Sequence, residues 1–283
     1  MSTAIRCSAL PAYFDSPRRT AAKLFRKEIE AAGYTLRDLP PSAGAAVGTA
    51  VHGAACHVLQ TRVDTGRYGG INEGLDLAMS VFREEIESGC EWDPTTPDRR
   101  TAEIQIRRLA QSYCHHVENA GIDPWLVEQH FTADLGDGFT ISGHVDVITM
   151  AAGIRDLKTG ALPRPYQSQA GGYSLLVRSQ AQPIQTTSLA IDFLRRTPKS
   201  KPQEPPQIER YDLRESEAAA WATIQRIKAD LQQFRQTGDP WAFPCNPLSM
   251  MCASDRYCPA RGTDFCKFGT SAQAPPDDKE KAA

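Results

Sequence analysis

Apolar and polar positions change period along the chain, and each change marks an element. Over residues 45–63 almost every side chain is small or apolar, which predicts a helix with little solvent contact. Residues 72–87 and 97–120 carry the broad apolar stripe of amphipathic helices and form a helical insert over about 65–120. The period then shortens: 125–135, 141–150 and 154–158 are rich in β-branched residues. Asp137-Gly138 and the stretch 151–153 are links of hairpin length, so three consecutive antiparallel strands are expected. A helix over 166–178, strands over 188–194 and 208–213, and a long amphipathic helix over 214–237 complete the pattern. At the amino end Ser8 can cap a short helix carrying Leu10, Tyr13 and Phe14, and Pro17 opens a second. The tail 269–283 has nothing to bury and is expected to be disordered.

Strand side chains repeat every two residues, so Asp156 and Lys158 share a face, while Asp146 stands on the preceding strand. Two carboxylates and an ammonium thus meet at one spot. Such a pair of acids can hold a hard divalent cation, and a lysine beside it can orient water or stabilise a phosphodiester's developing charge. The plainer alternative is a surface strand with a weak cross-strand ion pair. Glu128, on the strand before, can reach the same place. On the apolar helix Gly48 and His52 are four residues apart and lie on one face, the first permitting a close neighbour and the second needing a partner. Gln169 and Tyr173 stand one above the other on the helix over 166–178, where Gly171 and Gly172 suggest close packing.

Composition narrows the class. A chain of 283 residues with 41% apolar content can build a sizeable core, and a net charge of −2 announces no global attraction to nucleic acid. Locally the balance differs: over 153–201 there are eight Lys and Arg against Asp156 and Asp192. That excess suits a phosphate backbone or a solvated face equally well. With no apolar run of membrane length and no apolar core of a secretory signal, a cytoplasmic protein with reduced thiols is expected.

The set Gly48-x-x-x-His52, Glu128, Gly143-x-x-Asp146, Asp156-Leu157-Lys158-Thr159-Gly160 and Gln169-x-x-x-Tyr173 resembles the PD-(D/E)XK nuclease superfamily, most of all its RecB-type exonuclease branch. Ser8-Ala9-Leu10-x-x-Tyr13 and Ser16-Pro17-Arg18-Arg19 look like the start of such domains. The resemblance implies an α/β (α+β), restriction-endonuclease-like core: a mixed central sheet flanked by helices. It implies Mg²⁺ or Mn²⁺ held by His52, Asp146, Asp156 and the backbone carbonyl of Leu157, with Lys158 handling the attacking water and Glu128 as a further acid. Gln169 and Tyr173 would help hold DNA, as would Arg164 in the basic stretch. It also leaves room for a partner protein from recombination or replication, in repair or phage DNA processing, and leaves oligomeric state open. The alternatives are a non-catalytic DNA-binding or assembly subunit on the same fold, or a metal-cluster protein with a vestigial nuclease site.

Cys245, Cys252, Cys258 and Cys266, separated by six, five and seven residues, crowd one Pro-rich segment. Four thiolates so placed can close on a metal. The expected division is therefore a nuclease domain over 1–244 and a cysteine-rich segment over 245–268. Relatives in the resembling branch carry a [4Fe-4S] cluster on one early and three late cysteines, but Ser16 stands where the early one would be. Cys245 can take that place in a local cluster; zinc and free thiols remain open.

Overall fold

In the computed structural model, which describes residues 2–246, 248–253 and 258–267, the chain divides into two compact units. Of the described residues, 2–11 with 40–222 form the first, and 12–39 with those from 223 to 267 the second. The strands are β1 (Thr3–Arg6), β2 (Pro124–Gly136), β3 (Phe139–Thr149), β4 (Gly153–Gly160), β5 (Ser188–Arg195) and β6 (Gln207–Tyr211). The helices are α1 (Leu10–Asp15), α2 (Pro17–Leu24), α3 (Arg26–Ala31), α4 (Ala43–Thr65), α5 (Ile71–Glu85), α6 (Arg99–Asn119), α7 (Gln167–Arg178), α8 (Leu213–Thr237) and α9 (Met250–Ala253).

The first unit is built on one mixed sheet in the order β1-β3-β4-β5-β6, with β2 also paired to β3. The β2–β3 hairpin closes through Asp137 and Gly138, both at positive φ (54° and 75°), the backbone a tight primed turn needs. Antiparallel β3–β4 pairing covers only Val147↔Arg155 and Ile148↔Ile154, while β1 pairs in parallel with Phe139 to Ser142 of β3. Past Ile154 and Arg155, therefore, β4 is laddered to β5 but not to β3. That parting of two central strands is where the candidate residues lie.

A buried cluster packs α4, α5 and α6 against this sheet, joining Val47, Val51, Leu59, Phe82, Ile106 and Tyr113 to Val147 and Leu157. Small residues set its spacing. A Cβ on Gly48 would come within 3.1 Å of Thr159 Oγ1, so the glycine lets α4 lie this close to β4 without Thr159 giving way. The strand β1 was not expected: at four residues it carries one buried apolar side chain, Ile5, and it exists because β3 offers an edge. Ser8 lies inside a 3-10 turn (Cys7–Ala9) that precedes α1, so it does not cap that helix.

The second unit ties residues near the two ends of the chain together. Tyr13 donates to Asp230 Oδ2 (2.7 Å), Arg18 Nε to the Phe243 carbonyl (2.8 Å), and Arg235 pairs with Glu28 (2.8 Å). Tyr34, Phe234, Phe243 and Phe265 form an aromatic core with centroids 5.3–6.3 Å apart. The tail 269–283 lies outside the described residues.

Candidate active site

Five elements of the first unit deliver the site: α4 brings His52, β2 Glu128, β3 Asp146, β4 the run Asp156-Leu157-Lys158, and α7 Gln169 and Tyr173. His52 Nδ1 stands 3.3 Å from Asp146 Oδ2 and 3.5 Å from Glu128 Oε1. One ligand atom from each of these three residues lies within 4.8 Å of the others. Glu128 is placed by a local distortion. The pairs Val127↔Val147 and Gln129↔Val145 set it across from Asp146, yet its φ is +48°, a left-handed conformation that a residue with a side chain adopts at a cost of about 1–3 kcal/mol. That strain turns its carboxylate toward His52.

Asp156 belongs to an adjoining group. Its Oδ2 pairs with the Lys158 ammonium, and its Oδ1 accepts from Gln169 Nε2 (3.2 Å), which also reaches the Tyr173 hydroxyl (2.9 Å). The two groups are joined through Leu157, whose backbone N–H donates to Asp146 Oδ2 (2.7 Å). A strand residue directs its N–H and C=O to the same side, so the Leu157 carbonyl faces the gap that β3 leaves open. Repulsion between buried acids explains the division: Asp156, 1% exposed, turns to the nearest cation, and Asp146 turns to His52.

The titration of these groups follows from crowding. Burial pushes Asp146 up, with Asp156 and Glu128 adding to the rise and His52 and Lys158 opposing it. Burial would lower both His52 and Lys158, but the acids around them outweigh it: Asp146 and Glu128 raise His52, and Asp156 and Asp146 raise Lys158. Lys158 is thereby held as an ammonium. One imidazole and two carboxylates converging at an acid-rich spot are a donor set suited to a divalent cation, with the nitrogen favouring Mn²⁺ over Mg²⁺.

Packing beneath the site is close. A Cβ on Gly143 would fall 2.7 Å from Tyr173 Cε1. Gly143→Ala should therefore displace the Tyr173 ring and with it Gln169, lowering stability by about 1–3 kcal/mol. Chemical denaturation of the variant checks this, and an unchanged midpoint would show the ring to be free to move.

Other candidates fall elsewhere. Arg164 is exposed in the link before α7. Three cations of the basic stretch are committed internally: Arg155 forks onto Asp192 (2.5 and 3.0 Å), Arg178 pairs with Glu217 (2.6 Å), and Arg196 donates to Thr96 (2.8 Å). The eight cations are therefore not one continuous surface for a phosphate backbone. Asp192, fully buried, also accepts from Tyr113 (3.2 Å), which lines the same small cavity as His52, Glu128 and Asp146. The sequence signal for this support was an acid inside the apolar run Leu189-Ala190-Ile191-Asp192-Phe193.

In the second unit the four late cysteines are brought near one another. Cys245 Sγ is 3.4 Å from Cys266 Sγ, and Ser16 Oγ is 3.1 Å from Cys252 Sγ. Arg18 lies beside Cys245, opposing the rise in its pKa that the Cys266 hydrogen bond and burial cause. Its Nη2 is buried without a hydrogen-bond partner.

A mixed sheet whose central strands part around an acid–lysine pair, flanked by helices, defines a nuclease-type α/β fold. The sequence model of the PD-(D/E)XK nuclease superfamily matches residues 19–263, and the chain belongs to that superfamily. A crystal structure of a candidate exonuclease from Eubacterium rectale superposes with a TM-score of 0.50 at 11% identity, covering 80% of each chain. No curated protein sequence matches this one. Among the described residues no helix is long and apolar enough to cross a membrane.

Proposed function

We propose that the chain is a divalent-metal-dependent DNA exonuclease acting in the cytoplasm, in recombination, repair or phage DNA processing. The observation that carries this is the convergence of His52, Glu128 and Asp146 beside the Asp156–Lys158 pair. His52, Glu128 and Asp146 would hold Mn²⁺ or Mg²⁺, with Asp156 and the Leu157 carbonyl at the adjoining edge. When bound, the cation supplies positive charge to the phosphodiester and acidity to water. Lys158, kept protonated by its acids, offers an ammonium to the charge that builds on phosphate oxygens. Gln169 fixes the rotamer of Asp156, and Tyr173 backs Gln169.

End-labelled linear DNA and covalently closed circular DNA, each with Mg²⁺, Mn²⁺ or EDTA, test the reading together. Linear DNA should shorten from its ends with either cation, faster with Mn²⁺, and circles should persist. Nicking of circles would overturn the exonuclease assignment, and cleavage in EDTA would overturn the metal.

Cation binding must displace at least one proton from the His52–Asp146 pair, since burial favours a neutral Asp146 carboxyl and the surrounding acids favour a protonated His52. Lowering pH from about 8 to about 6 should thus weaken Mn²⁺ binding. Calorimetry in buffers of different ionisation enthalpy should detect proton release; enthalpies independent of buffer would contradict these proton assignments.

For the second unit we infer an iron–sulfur cluster on Cys245, Cys252, Cys258 and Cys266. A single tetrahedral zinc, with bonds of about 2.3 Å, needs sulfurs about 3.8 Å apart. The Cys245–Cys266 pair, at 3.4 Å, suits that spacing, but among the described residues no three cysteine sulfurs lie within 4.8 Å of one another, so the whole set has not closed to it, and zinc stays the alternative that iron analysis decides. Arg18 Nη2 supplies a buried cation for the negative charge of such a cluster. Protein purified without oxygen should be brown and contain iron, and Cys252→Ala should lose both. A colourless, iron-free wild type would reject the cluster.

A further inference from the structure

Two histidines outside the candidate active site face each other across the β2–β3 ladder. His130 and His144 are a direct cross-strand pair, with ring centroids 4.5 Å apart and ring planes at 44°. Both are exposed, on a hairpin whose outer strand, β2, pairs only with β3. Among the described residues neither ring has a hydrogen-bonding or ion-pairing partner other than this ring contact. Among the described residues no third His, Cys, Asp or Glu joins them to make a group of three.

We propose that His130 and His144 form a transition-metal site, separate from the acid-rich one, for a cation that prefers imidazole: Zn²⁺, Ni²⁺ or Cu²⁺. Two observations support it. Cross-strand side chains at this separation can direct one nitrogen each to a common point, and the antiparallel ladder fixes the spacing without further ordering of the backbone. Two neutral nitrogens with no carboxylate select borderline cations and discriminate against Mg²⁺ and Ca²⁺, which require oxygen. With only two protein ligands, the remaining coordination positions stay open to water or to an oxygen or nitrogen of nucleic acid.

The test is made on full-length protein without an affinity tag, in excess Mg²⁺. Ni²⁺ is titrated calorimetrically into wild type, His130→Gln and His144→Gln. Wild type should bind one Ni²⁺ more than either variant, or bind it at least about tenfold more tightly. Because the comparison is between wild type and variant, Ni²⁺ taken up by cysteines or by the acid-rich site cancels. Superimposable isotherms would overturn the proposal. Electron paramagnetic resonance of Cu²⁺ on thiol-blocked protein gives a second comparison: coupling to two imidazole nitrogens is expected in wild type and should be lost in either variant, and spectra alike in all three would also overturn it. Neither readout depends on cleavage, so failure here is distinct from failure of the nuclease reading.

Discussion

Replacing Lys158 by Gln is expected to lower the rate of DNA cleavage at saturating substrate by about 10²–10³-fold, the usual loss when one charge-stabilising donor is removed. DNA affinity should hardly change. The argument rests on the ammonium: Asp156 and Asp146 outweigh burial and keep Lys158 protonated, so its contribution is a fixed positive charge aimed at the site. Glutamine keeps a donor, one bond nearer the backbone, but removes the charge. A second effect should accompany the first. Asp156 is 1% exposed and would lose its ion-pair partner, and removing one member of a buried pair typically costs about 3–5 kcal/mol. Adding Mn²⁺ should restore part of that stability. Single-turnover kinetics and denaturant unfolding with and without Mn²⁺ measure the two effects, and undiminished cleavage would remove Lys158 from the machinery.

Gly171→Ala is expected to have a comparably large effect on stability. A Cβ there would lie 1.9 Å from the Ser216 carbonyl oxygen and 2.2 Å from its carbon, both backbone atoms at the start of α8. Neither can swing aside as a side chain can. The clash should cost about 3 kcal/mol or more, far beyond the roughly 1 kcal/mol that Ala adds to helix propensity. A melting temperature lower by roughly 6–12 °C is the expected reading. Gly172→Ala is the control, because its new Cβ would meet the Leu10 Cδ1 (2.8 Å) and Cys7 Sγ (3.3 Å) side-chain atoms. Those atoms can adjust, and the variant should be close to neutral. Equal melting of the two variants would show that α7 can shift away from α8 freely.

The sequence carried those features that depend on period and turn chemistry. The β2–β3–β4 meander follows from β-branched runs broken by Asp137-Gly138 and by 151–153, and Asp146, Asp156 and Lys158 follow from strand alternation. Gly48 and the Gly171-Gly172 pair signalled close contacts, because a missing Cβ inside a helix has few other uses. What depends on a partner distant in sequence was not legible. Strand β1 needs the edge of β3; Glu128 needs a left-handed backbone that an ordinary strand sequence does not announce; and Arg155 gave no sign that Asp192 would bind it. The same reason hides the grouping of residues 12–39 with the carboxyl-terminal segment, since neither stretch repeats the pattern of the other.

That grouping has a bearing on synthesis. The side-chain partners described above for Tyr13, Arg18, Glu28 and Tyr34 lie beyond residue 222, so the first helices leave the ribosome long before Asp230, Arg235, Phe243 and Phe265 exist. The intervening stretch 40–222 takes about 10–40 s to translate at about 5–20 residues per second. Through that interval Tyr13, Phe25 and Ile29, buried in the finished protein, have no permanent cover, so this unit can close only once the chain has been made as far as Phe265.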